Sequence, residues 1–148
     1  GYALGDEGSG NYIGKLTLKA YLEDEMPEIL AERFKTAYPE ITLEYTLEQI
    51  YQKPYPNRFF AQFFQFAINH QKERFFFEMI SDAFQLFLEK SVLKFKGHQE
   101  LPIHFVGGVA FNANSIMRMV LSKNNLIAGN FMESPIAGLT LYHKIQHS

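Results

Sequence analysis

The chain has 148 residues, enough for one domain with a substantial hydrophobic core. Hydrophobic residues make up 47% of it and charged residues 20%, which excludes a mainly disordered chain. The formal net charge of -2 argues against a protein that binds nucleic acid through its phosphates. Because there is no cysteine, the sequence also excludes disulfides, thiolate metal sites and a cysteine nucleophile.

No apolar run approaches the roughly 18 residues of a membrane span. The first residues carry no basic start typical of a signal peptide. We therefore expect a cytoplasmic protein without a membrane partner. The chain opens at Gly1 rather than at a methionine, inside a glycine-rich stretch, so we also expect it to be a fragment of a longer protein.

Helices are predicted after the glycine-rich opening at residues 2–14. Ser9 is expected to cap a first helix that ends near Leu22. Pro27 suits the first turn of a second helix, which Pro39 stops. The apolar face predicted for this second helix consists of Ile29, Leu30, Phe34 and Ala37. One or two helical turns are predicted over residues 46–51, with Thr46 as their cap.

Two longer, phenylalanine-rich helices follow a stiff proline turn at residues 53–57. Asn57 is expected to cap the first of them, which the spacing of its apolar residues predicts to be mostly buried. The second is predicted over residues 73–95, with Gly97 ending it. A packed core explains the Phe residues better than base stacking, because basic partners are lacking.

The last third of the chain alternates short strands with helices. Strands are predicted at residues 101–106 and 126–129, and a helix at 112–121. A last helix is expected to open at Ser134-Pro135 and to end near His143. The predicted fold class is therefore α/β, with a helix-rich middle and the short strands of an incomplete sheet.

Gly107-Gly108-Val109-Ala110 lies between a predicted strand and a predicted helix. Two glycines allow a sharp turn and the close approach of a flat or phosphorylated ligand. The segment is neither a Walker loop nor a complete dinucleotide fingerprint. A ligand loop and a tight turn without a ligand therefore both stay open on the pattern alone.

Residues 5–10, Gly-Asp-Glu-Gly-Ser-Gly, place two carboxylates before a helix and among glycines. One interpretation aims a carboxylate at a ligand hydroxyl or at a metal-bound water. The other is that acidic residues favour helix N-termini through the helix dipole. No metal ligands are assigned: His143 and His147 lack the zinc-helix glutamate, and His104 is expected to be a hydrogen-bonded core residue.

Two motifs, in this order, resemble a known family. Residues 4–10, followed by Tyr-Ile-Gly at 12–14, resemble the N-acetylglucosamine kinase branch of the BadF/BadG/BcrA/BcrD ATPase family. Residues 106–110, Val-Gly-Gly-Val-Ala, resemble the adenosine motif of the same actin-like superfamily. Residues 54–59 look like a segment typical of its bacterial members, so the resemblance spans essentially the whole chain.

The resemblance implies a two-lobed protein of ribonuclease H-like fold, in which residues 1–148 are the later part of the C-terminal lobe. The N-terminal lobe, with its phosphate loop and its catalytic Asp, would lie outside this chain. The same holds for the second phosphate loop and the first strands of the C-terminal lobe. No catalytic residue is therefore assigned, and the chain alone is expected to be inactive.

The activity that the resemblance implies is the transfer of phosphate from ATP, with Mg²⁺, to N-acetylglucosamine or a related amino sugar. Asp6 would accept hydrogen bonds from the sugar hydroxyls, and Glu7 would sit behind it or help with a metal-bound water. Ser9 and Gly10 would line the same loop. The resemblance then predicts that Asp6→Ala raises the sugar KM and leaves nucleotide binding largely intact.

The same resemblance assigns the nucleotide to the second motif. The residues that would pass beneath it are Gly107, Gly108, Val109 and Ala110, and Asn112 would reach it. Ser134-Pro135 would approach the adenine. The expected partners are thus the sugar, ATP and the N-terminal lobe, with no nucleic acid. A homodimer that covers part of the Phe-rich helices stays open beside an internal core.

Other functions stay open at this stage. A dehydratase activator of the same family would hold an iron–sulfur cluster through cysteines, and this chain has none. An actin-like nucleotide-dependent sensor would share the fold without turnover. An unrelated α/β domain is the remaining alternative, and two motifs in the expected order argue against it.

Overall fold

A computed structural model of the chain describes residues 2–54, 56–94, 97 and 99–134. The chain divides into two compact units. The first consists of Gly1–Ser9 together with Ser81–Ser148, and the second of Gly10–Ile80. Within the described residues, no helix is both long enough and apolar enough to cross a bilayer.

The first unit contains a three-stranded parallel sheet in the order β1-β2-β3. Its strands are β1 (Tyr2–Gly5), β2 (Pro102–Val106) and β3 (Ile127–Met132). The register pairs Gly5 with Val106, so β1 and β2 end side by side. Ile103 and Phe105 of β2 are fully buried, while Pro102, His104 and Val106 are only partly buried, which is the alternation of a strand with one face on the core.

Seven helices are described. They are α1 (Glu7–Leu22), α2 (Glu28–Ala37), α3 (Leu43–Gln52), α4 (Pro56–Asn69), α5 (Arg74–Ser91), α6 (Gly108–Asn112) and α7 (Asn114–Lys123). Together with the sheet they confirm the predicted α/β class and the helix-rich middle of the chain.

The second unit has an aromatic core centred on Phe34 of α2. Its ring is fully buried and contacts four other aromatic rings at centroid distances of 4.3 to 5.6 Å. Those rings belong to Tyr21, Tyr38, Phe63 and Phe66. Edge-to-face and tilted geometries of this kind add to the burial of apolar area. The prediction that the Phe residues pack as a core is confirmed here.

Helices α1 and α4 approach closely at Gly14. A β-carbon on Gly14 would overlap the carbonyl oxygen of Phe60 and would lie 2.9 Å from its carbonyl carbon. Only the absence of a side chain allows the two backbones to come this near. Gly14 therefore has a packing role within the second unit.

A β-bulge distorts the pairing of β2 with β3. Ile103 pairs with Ala128 and Phe105 with Phe131, so two residues of β3 lie opposite His104. The Nδ1 atom of His104 accepts a hydrogen bond from the Asn130 amide at 2.9 Å. The His104 ring therefore accepts a hydrogen bond from the Asn130 amide, at the point where the bulge interrupts the ladder. His104 is hydrogen-bonded, as predicted, but it is half-buried rather than a core residue.

Several predicted element boundaries are wrong at the start of the chain. Residues 2–5 form a strand, where the sequence predicted only a glycine-rich opening. Helix α1 begins at Glu7, so Ser9 lies inside the helix and does not cap it. Its predicted end at Leu22 is confirmed. In α2 the predicted apolar face is buried only at Leu30 and Phe34, whereas Ile29 is 60% exposed.

Two predicted caps are also wrong. The cap of α3 is Thr42, whose hydroxyl oxygen accepts the Tyr45 amide at 3.1 Å. The Thr46 hydroxyl instead donates to the carbonyl oxygen of Thr42 at 2.8 Å, so Thr46 lies within the helix. Helix α4 begins at Pro56, which places Asn57 in its first turn rather than at the cap.

The remaining differences are at element ends. Helix α5 ends at Ser91, short of the predicted residue 95. The helix predicted at 112–121 is instead α6 and α7, which meet at Ala113, where φ is -120° and ψ is 36°. Strand β3 continues to Met132, beyond the predicted residue 129. The last predicted helix lies outside the described residues.

Candidate functional site

The parallel sheet brings two predicted ligand segments to the same edge. The acidic segment (residues 5–10) follows β1, and the double-glycine segment (residues 107–110) follows β2. Because Gly5 pairs with Val106, Asp6 and Gly107 directly follow the ends of two neighbouring strands. The carboxyl edge of a parallel sheet is where α/β proteins usually bind ligands. These segments, 104 residues apart between Asp6 and Ala110, therefore form one candidate site.

Asp6 is the centre of this site. The residue is only 3% exposed, and its Oδ2 atom accepts a hydrogen bond of 2.6 Å from the Ala110 amide. Its backbone carbonyl accepts the Ser9 amide at 3.0 Å, which closes the first turn of α1. A carboxylate that precedes one helix and bonds to an amide in the first turn of another receives stabilisation from both N-termini. The sequence predicted that Asp6 belongs to the acidic segment, but it did not predict the hydrogen bond between Asp6 and the Ala110 amide.

Gly107 occupies a backbone conformation that only glycine adopts readily. Its φ is +133° and its ψ is 166°. A β-carbon there would overlap Oδ1 of Asp6. Its amide donates to the Met132 carbonyl at 2.8 Å, which ties the segment to the end of β3. Glycine is therefore required at position 107 for two reasons: the positive φ of its backbone and the close approach of the Asp6 carboxylate.

The rest of the double-glycine segment forms the first turn of α6. Val109 and Ala110 are buried, whereas Gly108 is partly accessible. The Asn112 side chain is exposed, and its Nδ2 atom donates to the Gly108 carbonyl at 2.7 Å. In this conformation Asn112 braces the turn. Its predicted contact with a nucleotide stays a prediction.

The other residues of the acidic segment lie at the start of α1. Helix α1 begins at Glu7, and its residues Ser9 and Gly10 are buried. Ser134 follows β3 and is the last described residue, so Pro135 lies outside the described part. The roles predicted for these residues toward sugar and adenine stay predictions.

The arrangement favours some ligand groups over others. The Ala110 amide is already bonded to Asp6, so it is not free to bind a phosphate. Across residues 2–54, 56–94, 97 and 99–134, no three His, Cys, Asp or Glu side chains are grouped as a metal site would require. What the segments offer is a narrow backbone surface at Gly107 and Gly108, beside a buried carboxylate.

The sequence did not indicate one surface feature of the second unit. Leu43, Leu47 and Tyr51 are spaced four residues apart on α3, and all three are exposed. They line an open groove of about 540 Å³ together with Glu44 and Glu48. The i, i+4, i+8 spacing could have revealed this stripe, but a sequence cannot tell that it is left uncovered.

The class that the fold and the site define is an α/β domain with a candidate ligand site at the carboxyl edge of its parallel sheet. No protein-family model matches the chain. No curated protein matches it either.

A solved structure does resemble it. The sequence is 38% identical to that of a protein from Porphyromonas gingivalis whose crystal structure is named "putative N-acetylglucosamine kinase". The two structures superpose with a TM-score of 0.84. The match covers 100% of this chain and 52% of that one, so the chain spans about half the length of its structural neighbour. This likeness supports a relationship to N-acetylglucosamine kinase-like proteins.

Proposed function

We propose that this chain is the C-terminal lobe of a two-lobed kinase that transfers phosphate from ATP to an amino sugar such as N-acetylglucosamine. The observation that carries the proposal is the likeness to the Porphyromonas gingivalis structure, at 38% identity over the whole chain. The site adds support, because the two motifs that resemble the family meet at one sheet edge.

In this proposal the acidic segment binds the sugar. Asp6, held by its bond to the Ala110 amide, accepts hydrogen bonds from sugar hydroxyls, as carboxylate oxygens do. Ser9 and Gly10 shape the same loop, and Glu7 supports Asp6 or a metal-bound water. A buried carboxylate of fixed orientation suits the recognition of a neutral sugar, because it is preorganised.

The double-glycine segment then binds the nucleoside part of ATP. Gly107 and Gly108 permit close approach, and Val109 and Ala110 supply the buried support beneath it. The engaged Ala110 amide fits this role better than a role in phosphate binding. Mg²⁺ would accompany the phosphates of ATP, as it does in phosphoryl transfer generally. We assign it no ligand on this chain.

The catalytic base and the phosphate loops belong to the N-terminal lobe in this proposal. Phosphoryl transfer depends mostly on positioning and on charge stabilisation. A site divided between two lobes can supply both once its ligands are bound. We place this protein in the cytoplasm, where ATP and free amino sugars are available.

The test is an ADP-release assay on the full-length protein that contains this chain. It is run with ATP, Mg²⁺ and, in turn, N-acetylglucosamine, N-acetylmannosamine, glucosamine and glucose. We expect release that depends on an N-acetylated amino sugar. Slow release that ignores every sugar would contradict the kinase and favour a non-kinase ATPase or a sensor. Iron in the purified protein would favour a dehydratase activator.

A matched pair of variants tests the nucleotide assignment. Asn112→Ala removes a side chain that the proposal places at the nucleotide and should raise the ATP KM. Asn114→Ala removes an exposed amide that bonds to the Phe111 carbonyl, two residues further along, and should leave that KM unchanged. Equal effects of both variants on KM for ATP would contradict the assignment.

A further inference from the structure

One side chain joins the two segments to which the proposed function gives different ligands. Asp6 belongs to the acidic segment, yet its Oδ2 atom bonds to the Ala110 amide of the double-glycine segment. Its Oδ1 atom lies where a β-carbon of residue 107 would be. Both carboxylate oxygens therefore face the double-glycine segment, and Asp6 is only 3% exposed.

The double-glycine segment depends on outside support. Helix α6 has only five residues, too few to be stable alone. Its N-cap is Gly107, which has no side chain and makes no side-chain cap bond. Ala110 is the third residue of the helix, the position whose amide an N-cap side chain would normally satisfy. Asp6 supplies that acceptor from the neighbouring strand.

The backbone of Gly107 adds to this dependence. Glycine reaches a φ of +133° easily but is not confined to it, so bonds to the surroundings must fix this conformation. The Gly107 amide donates to the Met132 carbonyl, and the Ala110 amide donates to Asp6. The first holds the segment to β3, and the second holds it to the start of α1.

We infer that Asp6 is a positioning residue for the double-glycine segment, in addition to its proposed contact with the sugar. The inference rests on the proposed function for the identity of the ligand that this segment binds. A side chain that only touched the sugar could be removed without effect on the nucleotide. The bond to Ala110 gives a different expectation: loss of Asp6 weakens nucleotide binding even when no sugar is present.

The experiment measures the Kd of Mg·ADP without sugar, by calorimetry, on the full-length protein that contains this chain. Asp6→Ala removes the acceptor, and we expect Kd to rise at least about tenfold, as for loss of a charged hydrogen bond. Asp6→Asn keeps an oxygen acceptor without the charge and should give a smaller rise. Asp82→Asn, at an exposed acid of α5, is the control and should leave Kd unchanged. An Asp6→Ala protein that binds Mg·ADP like the wild type overturns the inference.

A double-mutant cycle tests whether Asp6 and Gly107 act on nucleotide binding together. Gly107→Ala introduces both backbone strain and the overlap with Asp6. In the Asp6→Ala background the overlap is gone and only the strain remains. We therefore expect Gly107→Ala to raise Kd by a smaller factor in that background. Equal factors in both backgrounds overturn the inference.

Hydrogen exchange at the Ala110 amide separates the inference from the proposed function. If the wild type binds no Mg·ADP, the proposed function fails, whatever the variants do. The positioning role is then decided by the amide alone, which should lose protection in Asp6→Ala and keep it in Asp82→Asn. Unchanged protection in Asp6→Ala overturns the inference.

Discussion

Replacing Gly14 with alanine tests how closely α1 and α4 approach. The new β-carbon would overlap the Phe60 carbonyl oxygen and would lie 3.3 Å from the Phe64 amide nitrogen. These atoms belong to the backbone of α4, so none of them can swing aside as a side chain would. The helices must shift, and overpacking of this kind costs about 1–3 kcal/mol.

A second glycine on the same helix provides the control. Alanine is favoured over glycine inside a helix by about 1 kcal/mol. Gly8→Ala, at the second residue of α1, gains no more than this preference and meets no clash, because a β-carbon at Gly8 has nothing within 4 Å. Gly14→Ala, in the helix interior, gains the full preference but also bears the packing cost. Gly14→Ala should therefore have the lower unfolding free energy of the two variants, by up to about 2 kcal/mol.

Urea unfolding followed by far-ultraviolet circular dichroism measures this difference, since the chain has no tryptophan to report by fluorescence. Thermal unfolding should agree, with each kcal/mol worth about 2–4 °C in Tm for a chain near this length. A Gly14→Ala protein at least as stable as Gly8→Ala would refute the close approach.

Three further predictions concern single side chains. Burial, and then the Glu40 charge, raise the pKa of Tyr38, so the stability that its neutral hydroxyl contributes is present below about pH 10 and is lost as the pH rises through the raised pKa. Tyr38→Phe should flatten this alkaline fall of the urea midpoint, and an unchanged fall would contradict us. Thr42→Ala should cost about 1 kcal/mol through loss of the α3 cap, with Thr42→Ser close to the wild type; equal losses would exclude a capping role. His104→Phe keeps a ring but not the acceptor for Asn130, and should cost about 1 kcal/mol with faster exchange of that amide; unchanged exchange would argue against the bond.

Periodic segments with clear ends were predictable from the sequence. The end of α1 at Leu22, the strand at β2 and the presence of α2 follow from apolar spacing and from proline, although Pro27 is the N-cap of α2 and does not lie in its first turn. Strand β1 was not, because four residues before a glycine-rich stretch are too few to show a period. The start of α3 was missed because two threonines four residues apart offered competing caps, and only the hydrogen bonds decide between them.

The candidate site was predictable in its parts and not in its assembly. The two glycine segments stand out in the sequence, each by its own composition. Their contact does not, because the Asp6–Ala110 bond joins residues 104 positions apart and one partner is a backbone amide with no sequence signature. The hydrogen bond from the Gly107 amide to the Met132 carbonyl could not be predicted for the same reason, because both partners are backbone groups.

The aromatic cluster around Phe34 has a consequence for motion. A phenylalanine ring can turn over about its own axis only when its neighbours briefly make room, because interiors are close-packed. Phe34 is enclosed by rings from three helical regions of the second unit, so no single side chain can release it. Its two edges should give separate resonances at low temperature that merge on warming. The rate of that exchange would report how often the packing around Phe34 opens enough for the ring to turn.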